Sequence, residues 1–64
     1  MDMFKISLAA ARVNAKMTQE DVAKKLHVSK QSIVNWEKGK IKPKPAQVYM
    51  MCMLYGISTD FVEV

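Results

Sequence analysis

The chain has 64 residues, half of them apolar and a quarter charged, with ten Lys/Arg against six Asp/Glu and a formal net charge of +4. This composition describes one folded domain, residues 1–64, and excludes a disordered chain. The single cysteine, Cys52, excludes an internal disulfide and fits a reducing compartment. The longest apolar run, Val48 to Tyr55, is far too short to span a membrane.

In chain order, a first helix is predicted over about Phe4 to Asn14. Leu8-Ala9-Ala10-Ala11-Arg12 has high helix propensity, and Phe4, Leu8, Ala11 and Ala15 recur at helical spacing. The opening residues, Met1 to Ala11, have one lysine and no long apolar core, so they do not read as a secretory signal. A second helix is predicted from Thr18 to near Leu26. Thr18 and Asp21 form an imperfect capping box, with Asp where Glu or Gln is usual, and Glu20 and Asp21 suit the positive end of the helix dipole. Val22, Ala23 and Leu26 make its buried stripe.

His27-Val28-Ser29 is a three-residue turn, and Ser29 is a good N-cap for a third helix, Lys30 to Lys38, closed by Gly39. Ile33 and Trp36 share one face of that helix, and Gln31, Val34, Asn35 and Lys38 the other. Lys40-Ile41-Lys42-Pro43-Lys44 is a basic loop. Pro45 suits the first turn of a fourth helix that runs to Tyr55 and is capped by Gly56. Val48, Met51, Cys52 and Tyr55 are its inward face. Ser58 is placed to cap a short fifth helix, Thr59 to Glu63. No strand is signalled, so the expected fold is all-α, a compact five-helix domain.

Two short helices separated by three residues, the second with a polar outer face, form a helix-turn-helix. Ile33 and Trp36 fasten the third helix to the core, with the small Ala23 allowing close approach, and its other face is left free for a major groove about 12 Å wide. Gln31 and Asn35 match the N6/N7 edge of adenine, Lys30 the O6/N7 edge of guanine, and Val34 a thymine methyl. Ser29 and Ser32 are in reach of phosphate or a base edge. Gln19, beside Thr18 at the start of the second helix, adds an anion-binding helix terminus. Lys38, Lys40, Lys42 and Lys44 are placed to follow the backbone. Taken singly, these side chains read as ordinary solvated polar groups; their position within the motif is what favours DNA contact.

The stretch Met17-Thr18-Gln19-Glu20-Asp21-Val22-Ala23, followed by Val28-Ser29-Lys30-Gln31-Ser32-Ile33-Val34-Asn35-Trp36-Glu37-Lys38-Gly39-Lys40, resembles the phage repressor and Cro type of helix-turn-helix. Lys42-Pro43 and Gly56-Ile57-Ser58-Thr59-Asp60-Phe61 continue the resemblance over almost the whole chain. It implies five helices and a dimer bound to double-stranded operator DNA. It puts base contacts on Ser29, Lys30, Gln31 and Asn35. Its phosphate-side glutamine falls on Gln19, to which the residues themselves add Thr18, Ser32 and the lysines Lys38, Lys40, Lys42 and Lys44 as expected backbone contacts. The resemblance also has Gln19 bracing Lys30 and gives a structural ion pair between Arg12 and Glu37. The chain departs from the pattern at His27, where glycine is common, and at Met50 and Met53, which are commonly polar.

Met50, Met53 and Leu54 widen the apolar side of the fourth helix beyond what a small core needs. With Phe61, Val62 and Val64 they suggest a dimer or partner surface. The expected function is sequence-specific DNA binding by a cytoplasmic transcriptional regulator, Cro-like or repressor-like, in a bacterial or phage-infected cell. The alternative is an antitoxin or other protein-binding module that uses the fourth helix and C-terminus. Catalysis is not expected, because no nucleophile with a base, paired carboxylates or Gly-rich phosphate loop is present. No cofactor or metal is implied: His27 is the sole histidine, and Cys52 reads as inert core.

Overall fold

The computed structural model describes residues 5–63. Phe4 and Val64, assigned above to the first helix and to the C-terminal surface, lie outside them. The elements in order are β1 (Ile6–Ser7), α1 (Leu8–Asn14), α2 (Gln19–Leu26), α3 (Lys30–Lys38), α4 (Pro45–Tyr55), a 3-10 turn (Thr59–Phe61) and β2 (Val62–Glu63).

Among the described residues there are four helices, not five, and two expectations near the chain ends are corrected together. The first helix starts at Leu8, because the Ser7 hydroxyl accepts the Ala10 amide at 3.0 Å and caps it there. The fifth helix is a single 3-10 turn, in which the Ser58 hydroxyl accepts the Asp60 amide at 3.2 Å. Val62 is then extended rather than helical. The chain ends meet in a short parallel ladder, with Ile6 opposite Val62 and Ser7 opposite Glu63. A two-residue strand has too little periodicity to be read from sequence, and its pairing joins segments 56 positions apart. Val62 is buried, so it belongs to the core and not to the exposed surface proposed for it.

The core draws on every helix. Leu8 and Ala11 come from α1, Val22 and Ala23 from α2, Ile33 from α3, and Val48, Met51, Cys52 and Tyr55 from α4. Ile33, Met51 and Val22 are wholly enclosed, and truncating any of them to Ala should cost about 2–5 kcal/mol. α2 and α3 pack on each other, while α4 packs on α1, α2 and the 3-10 turn. Among the described residues no helix is long and apolar enough to cross a membrane.

One turn geometry ends all four helices. The residues after them, Lys16, His27, Gly39 and Gly56, all have positive φ, between 57° and 78°. In each case two amides return to the helix end. Val28 N bonds the Ala23 carbonyl at 3.0 Å and His27 N that of Lys24 at 3.4 Å, and the same pattern follows Lys16, Gly39 and Gly56. The residue after the turn is Met17, Val28 or Ile57 in three cases, and each of these packs against the core. Gly39 is followed instead by Lys40, where the chain leaves as the exposed basic loop. His27, where the resemblance has glycine, thus takes the left-handed conformation itself, and Lys16 shares it, a position with no glycine signal in the sequence.

Left-handed backbone costs a non-glycine residue about 1–2 kcal/mol, partly offset because glycine loses more freedom on folding. His27→Gly and Lys16→Gly should therefore each stabilise the domain by about 0.5–1 kcal/mol, seen as a rise of several degrees in thermal melts. Gly56→Ala should cost about 1 kcal/mol by the same measurement, although a Cβ there meets nothing within 4 Å.

Candidate nucleic-acid interface

The interface begins with a side-chain network that holds three helices in register. Arg12 on α1 donates from Nε to Glu37 Oε2 at 2.8 Å and from Nη2 to Oε1 at 3.4 Å, so the two side chains meet fork to fork. Its third nitrogen, Nη1, donates to the Met17 carbonyl at 2.8 Å and so fixes the turn between α1 and α2. Glu37 Oε1 also accepts from Gln19 Nε2 at 3.0 Å, at the first residue of α2. The Arg12 and Glu37 side chains are 14% and 6% exposed. Gln19 thus braces Glu37 near the C-terminal end of α3, not Lys30 at its start as the resemblance implied.

Ile33 anchors α3 in the core, and Trp36 packs against that core part-buried. The opposite side carries Lys30, Gln31 and Lys38 exposed, with Val34 and Asn35 half-buried. Gln31 Nε2 donates to Asn35 Oδ1 at 3.0 Å, one helical turn away. The pair therefore stands as one unit, with the Gln31 oxygen as a spare acceptor and the Asn35 NH2 as a spare donor. Ser29 caps α3: its hydroxyl accepts the Ser32 amide at 3.1 Å and lies 3.0 Å from the Ser32 hydroxyl.

At the start of α2 the capping box is complete despite the shorter Asp. Thr18 Oγ1 accepts the Asp21 amide at 3.0 Å, and Asp21 Oδ2 accepts the Thr18 amide at 2.9 Å. Those hydrogen bonds to Thr18 hold the Asp21 carboxyl below its usual range. At the other end of α3, the Asn35 carbonyl accepts the amides of Lys40 at 2.9 Å and Ile41 at 3.4 Å. The basic loop is thereby tied to the backbone of an outward-facing residue. Lys38, Lys40, Lys42 and Lys44 are all exposed, and Lys44 donates its amide to Gln47 Oε1 at 2.8 Å as α4 begins.

The residues suggested for a partner surface separate. Met50, Met53 and Phe61 are exposed, Leu54 is half-buried against the core, and Val62 is inside it. Cys52 is buried, and that burial raises its thiol pKa. Among the described residues no three His, Cys, Asp or Glu gather as a metal site. Sequence reading missed the Met17 carbonyl, which no side-chain pattern signals, and the Gln47 cap, which the Lys44-x-x-Gln47 spacing did offer. It also missed Tyr55, whose buried hydroxyl has no hydrogen-bond partner among the described residues. Its pKa is pushed up to about 12, first by burial and then by the nearby Glu37 carboxylate, with Arg12 opposing.

A family model described as helix-turn-helix matches residues 8–62. The chain is also 41% identical over 44 residues to a protein of Methanocaldococcus jannaschii described as an uncharacterized HTH-type transcriptional regulator. The match covers 69% of this chain and 67% of that protein. No solved structure matches the chain significantly.

Removing one partner of a largely buried ion pair leaves the other charge uncompensated, at a cost of about 3–5 kcal/mol. Glu37→Ala should show a loss of that order in urea unfolding, and the double replacement Arg12→Met with Glu37→Leu a clearly smaller one. Tyr55→Phe deletes a buried, unbonded hydroxyl and should leave stability at neutral pH unchanged or higher. The folded-state pKa of Tyr55 lies above its ordinary value of 10. Its contribution is therefore complete below pH 10, where both states keep the proton, and is lost as pH rises from 10 through about 12. Denaturant titrations over that window should show the wild type losing stability relative to Tyr55→Phe.

Proposed function

The chain belongs to the helix-turn-helix family of the phage repressor and Cro type, whose members are DNA-binding transcription regulators, and from that premise we propose that it recognises a specific operator in double-stranded DNA. α3 enters the major groove and reads base edges, and the chain acts as a Cro-like or repressor-like homodimer in the cytoplasm. The observation that carries this reading is the hydrogen-bonded Gln31–Asn35 pair on the outer side of a helix whose inner side is locked by Ile33 and the Arg12–Glu37–Gln19 network.

That pair is complementary to adenine. The free Gln31 oxygen can accept from N6 while the Asn35 NH2 donates to N7, the two groups sharing one base through their mutual hydrogen bond. Lys30, one residue earlier and exposed, supplies the donor for guanine O6 and N7, and Ser29 reaches the neighbouring base edge. Gln19, Thr18 and the first-turn amides of α2 hold a phosphate on one side. Ser32, with Lys38, Lys40, Lys42 and Lys44, contacts the strand on the other. These contacts set orientation and affinity, and the α3 pair sets sequence. Pre-arrangement adds to affinity because little side-chain freedom remains to be lost on binding.

Selection of bound sequences from random DNA should return two symmetric half-sites about one helical turn, roughly 10 bp, apart. Against that operator, Asn35→Ala and Gln31→Ala should each cost about 1–3 kcal/mol in binding and relax base preference at one position, with helical content unchanged. Lys40→Ala and Lys42→Ala should instead weaken binding alike for operator and random DNA, lowering the salt dependence by about 0.9 per lost contact. Equal discrimination between operator and random DNA before and after the α3 substitutions would overturn the assignment.

A further inference from the structure

A cavity of about 590 Å³ lies where the basic loop runs into α4. Its walls are Lys42 and Pro43 of the loop, Pro45, Val48 and Tyr49 of α4, and Thr59 of the 3-10 turn. Lys30, Gln31 and Asn35 take no part in it. The volume falls within the range of small-molecule sites, which are mostly apolar with a few polar groups that fix orientation. Here Pro43, Pro45, Val48 and Tyr49 supply the apolar surface, and Lys42 and Thr59 the polar groups. The wall is also pre-formed. Both prolines have a fixed φ, and between them the Lys44 amide donates to Gln47 Oε1 at 2.8 Å while the Lys44 carbonyl accepts the Gln47 amide at 2.9 Å. Among the described residues the lining has one formal charge, that of Lys42, and no Asp or Glu. The Lys42 side chain is exposed and has no hydrogen bond or ion pair among those residues.

We propose that this cavity binds a free small molecule of the aryl carboxylate class, its ring against Pro43, Pro45 and Tyr49 and its carboxylate on Lys42. Charge complementarity selects the head group. A lone ammonium beside an uncharged apolar wall attracts an anion and repels a cation. A neutral apolar ligand would cover the wall but leave that ammonium without a partner at the rim. A phosphate strand would pair with Lys42 but leave the wall uncovered. Shape selects the body, because a flat ring covers the Tyr49 and proline rings with few rotatable bonds to immobilise. Lys42 is also one of the loop lysines assigned above to the DNA strand. A carboxylate bound there withdraws one cation from that strand, so the small molecule and DNA each weaken the other's binding by the same factor. This coupling rests on the DNA reading, and the site itself does not.

NMR titration of the full chain with naphthalene-2-acetate, without DNA, tests the site. Amide shifts should centre on Lys42, Tyr49 and Thr59 and saturate with a Kd of about 1 mM, as expected for a ligand of that size. The neutral 2-(2-naphthyl)ethanol should bind about two- to fivefold more weakly, and the corresponding amine more weakly still. Lys42→Gln should bring acid and alcohol to the same affinity, whereas Tyr49→Ala should weaken both by about fivefold. Lys42 and Tyr49 are exposed, so thermal melts of both variants should stay near wild type. No saturable binding up to about 10 mM, shifts centred elsewhere, or an acid preference that survives Lys42→Gln would each overturn the site. In operator binding, saturating naphthalene-2-acetate should lower wild-type affinity about threefold relative to equal acetate and leave Lys42→Gln unchanged. An unchanged wild type there would overturn the coupling. The NMR result stands apart from the DNA reading, which is judged by the α3 substitutions.

Discussion

The arrangement of this protein depends on one carboxylate. Glu37 accepts Arg12 from α1 and Gln19 from α2 while belonging to α3, so a single side chain ties together three helices separated by two turns. A buried ion pair is a poor source of net stability, because removing both charges from water costs about as much as their attraction returns. Its consequence is positional. The fork geometry of Arg12 admits one orientation of Glu37, and the third Arg12 nitrogen pins the Met17 carbonyl ahead of α2. Hydrophobic contact alone between α2 and α3 would tolerate a small slide or rotation. The network does not, and a helix that must meet base edges needs that constraint.

The helix ends serve the same purpose. All four helices close in a left-handed residue, and in three the next side chain, Met17, Val28 or Ile57, folds back onto the core. Short helices of seven to eleven residues are marginal alone, so their stability comes from packing and from satisfied terminal amides and carbonyls. The turn after α3 is the exception. There Lys40 takes the place of the apolar plug, and the chain emerges as the exposed lysine loop while the Asn35 carbonyl holds its first two amides. The same turn motif thus anchors the fold three times and presents basic charge once.

Charge and apolarity are segregated across the molecule. The outer side of α3 and the loop after it carry lysines and amides, whereas α4 carries no charge. Such a division is unnecessary for folding, since the inward residues of α4 already complete the core. It does give the domain two chemically distinct exposed faces, one suited to phosphates and base edges and one suited to an apolar surface.

The helices α2 to α4 were legible in the residues because each has local marks: Thr18 and Ser29 as caps, Pro45 at a first turn, Gly39 and Gly56 after the last, and an apolar stripe at the helical period. The outward placement of Gln31 follows from the same spacing, as does the inward face of α4. The Arg12–Glu37 pair was legible only through family resemblance, since 25 positions separate the two and neither marks the other. Tertiary structure alone decided the ends, where Ile6 and Val62 pair and turn two expected helical segments into strands. It also decided that Gln19 bonds Glu37, that Lys16 bends left-handed, and that Val62 is core. Caps and periodicity act between residues within one or two turns and so are written locally. Pairing of chain ends and sharing of a carboxylate act between segments distant in sequence, and those exist only once the chain has folded.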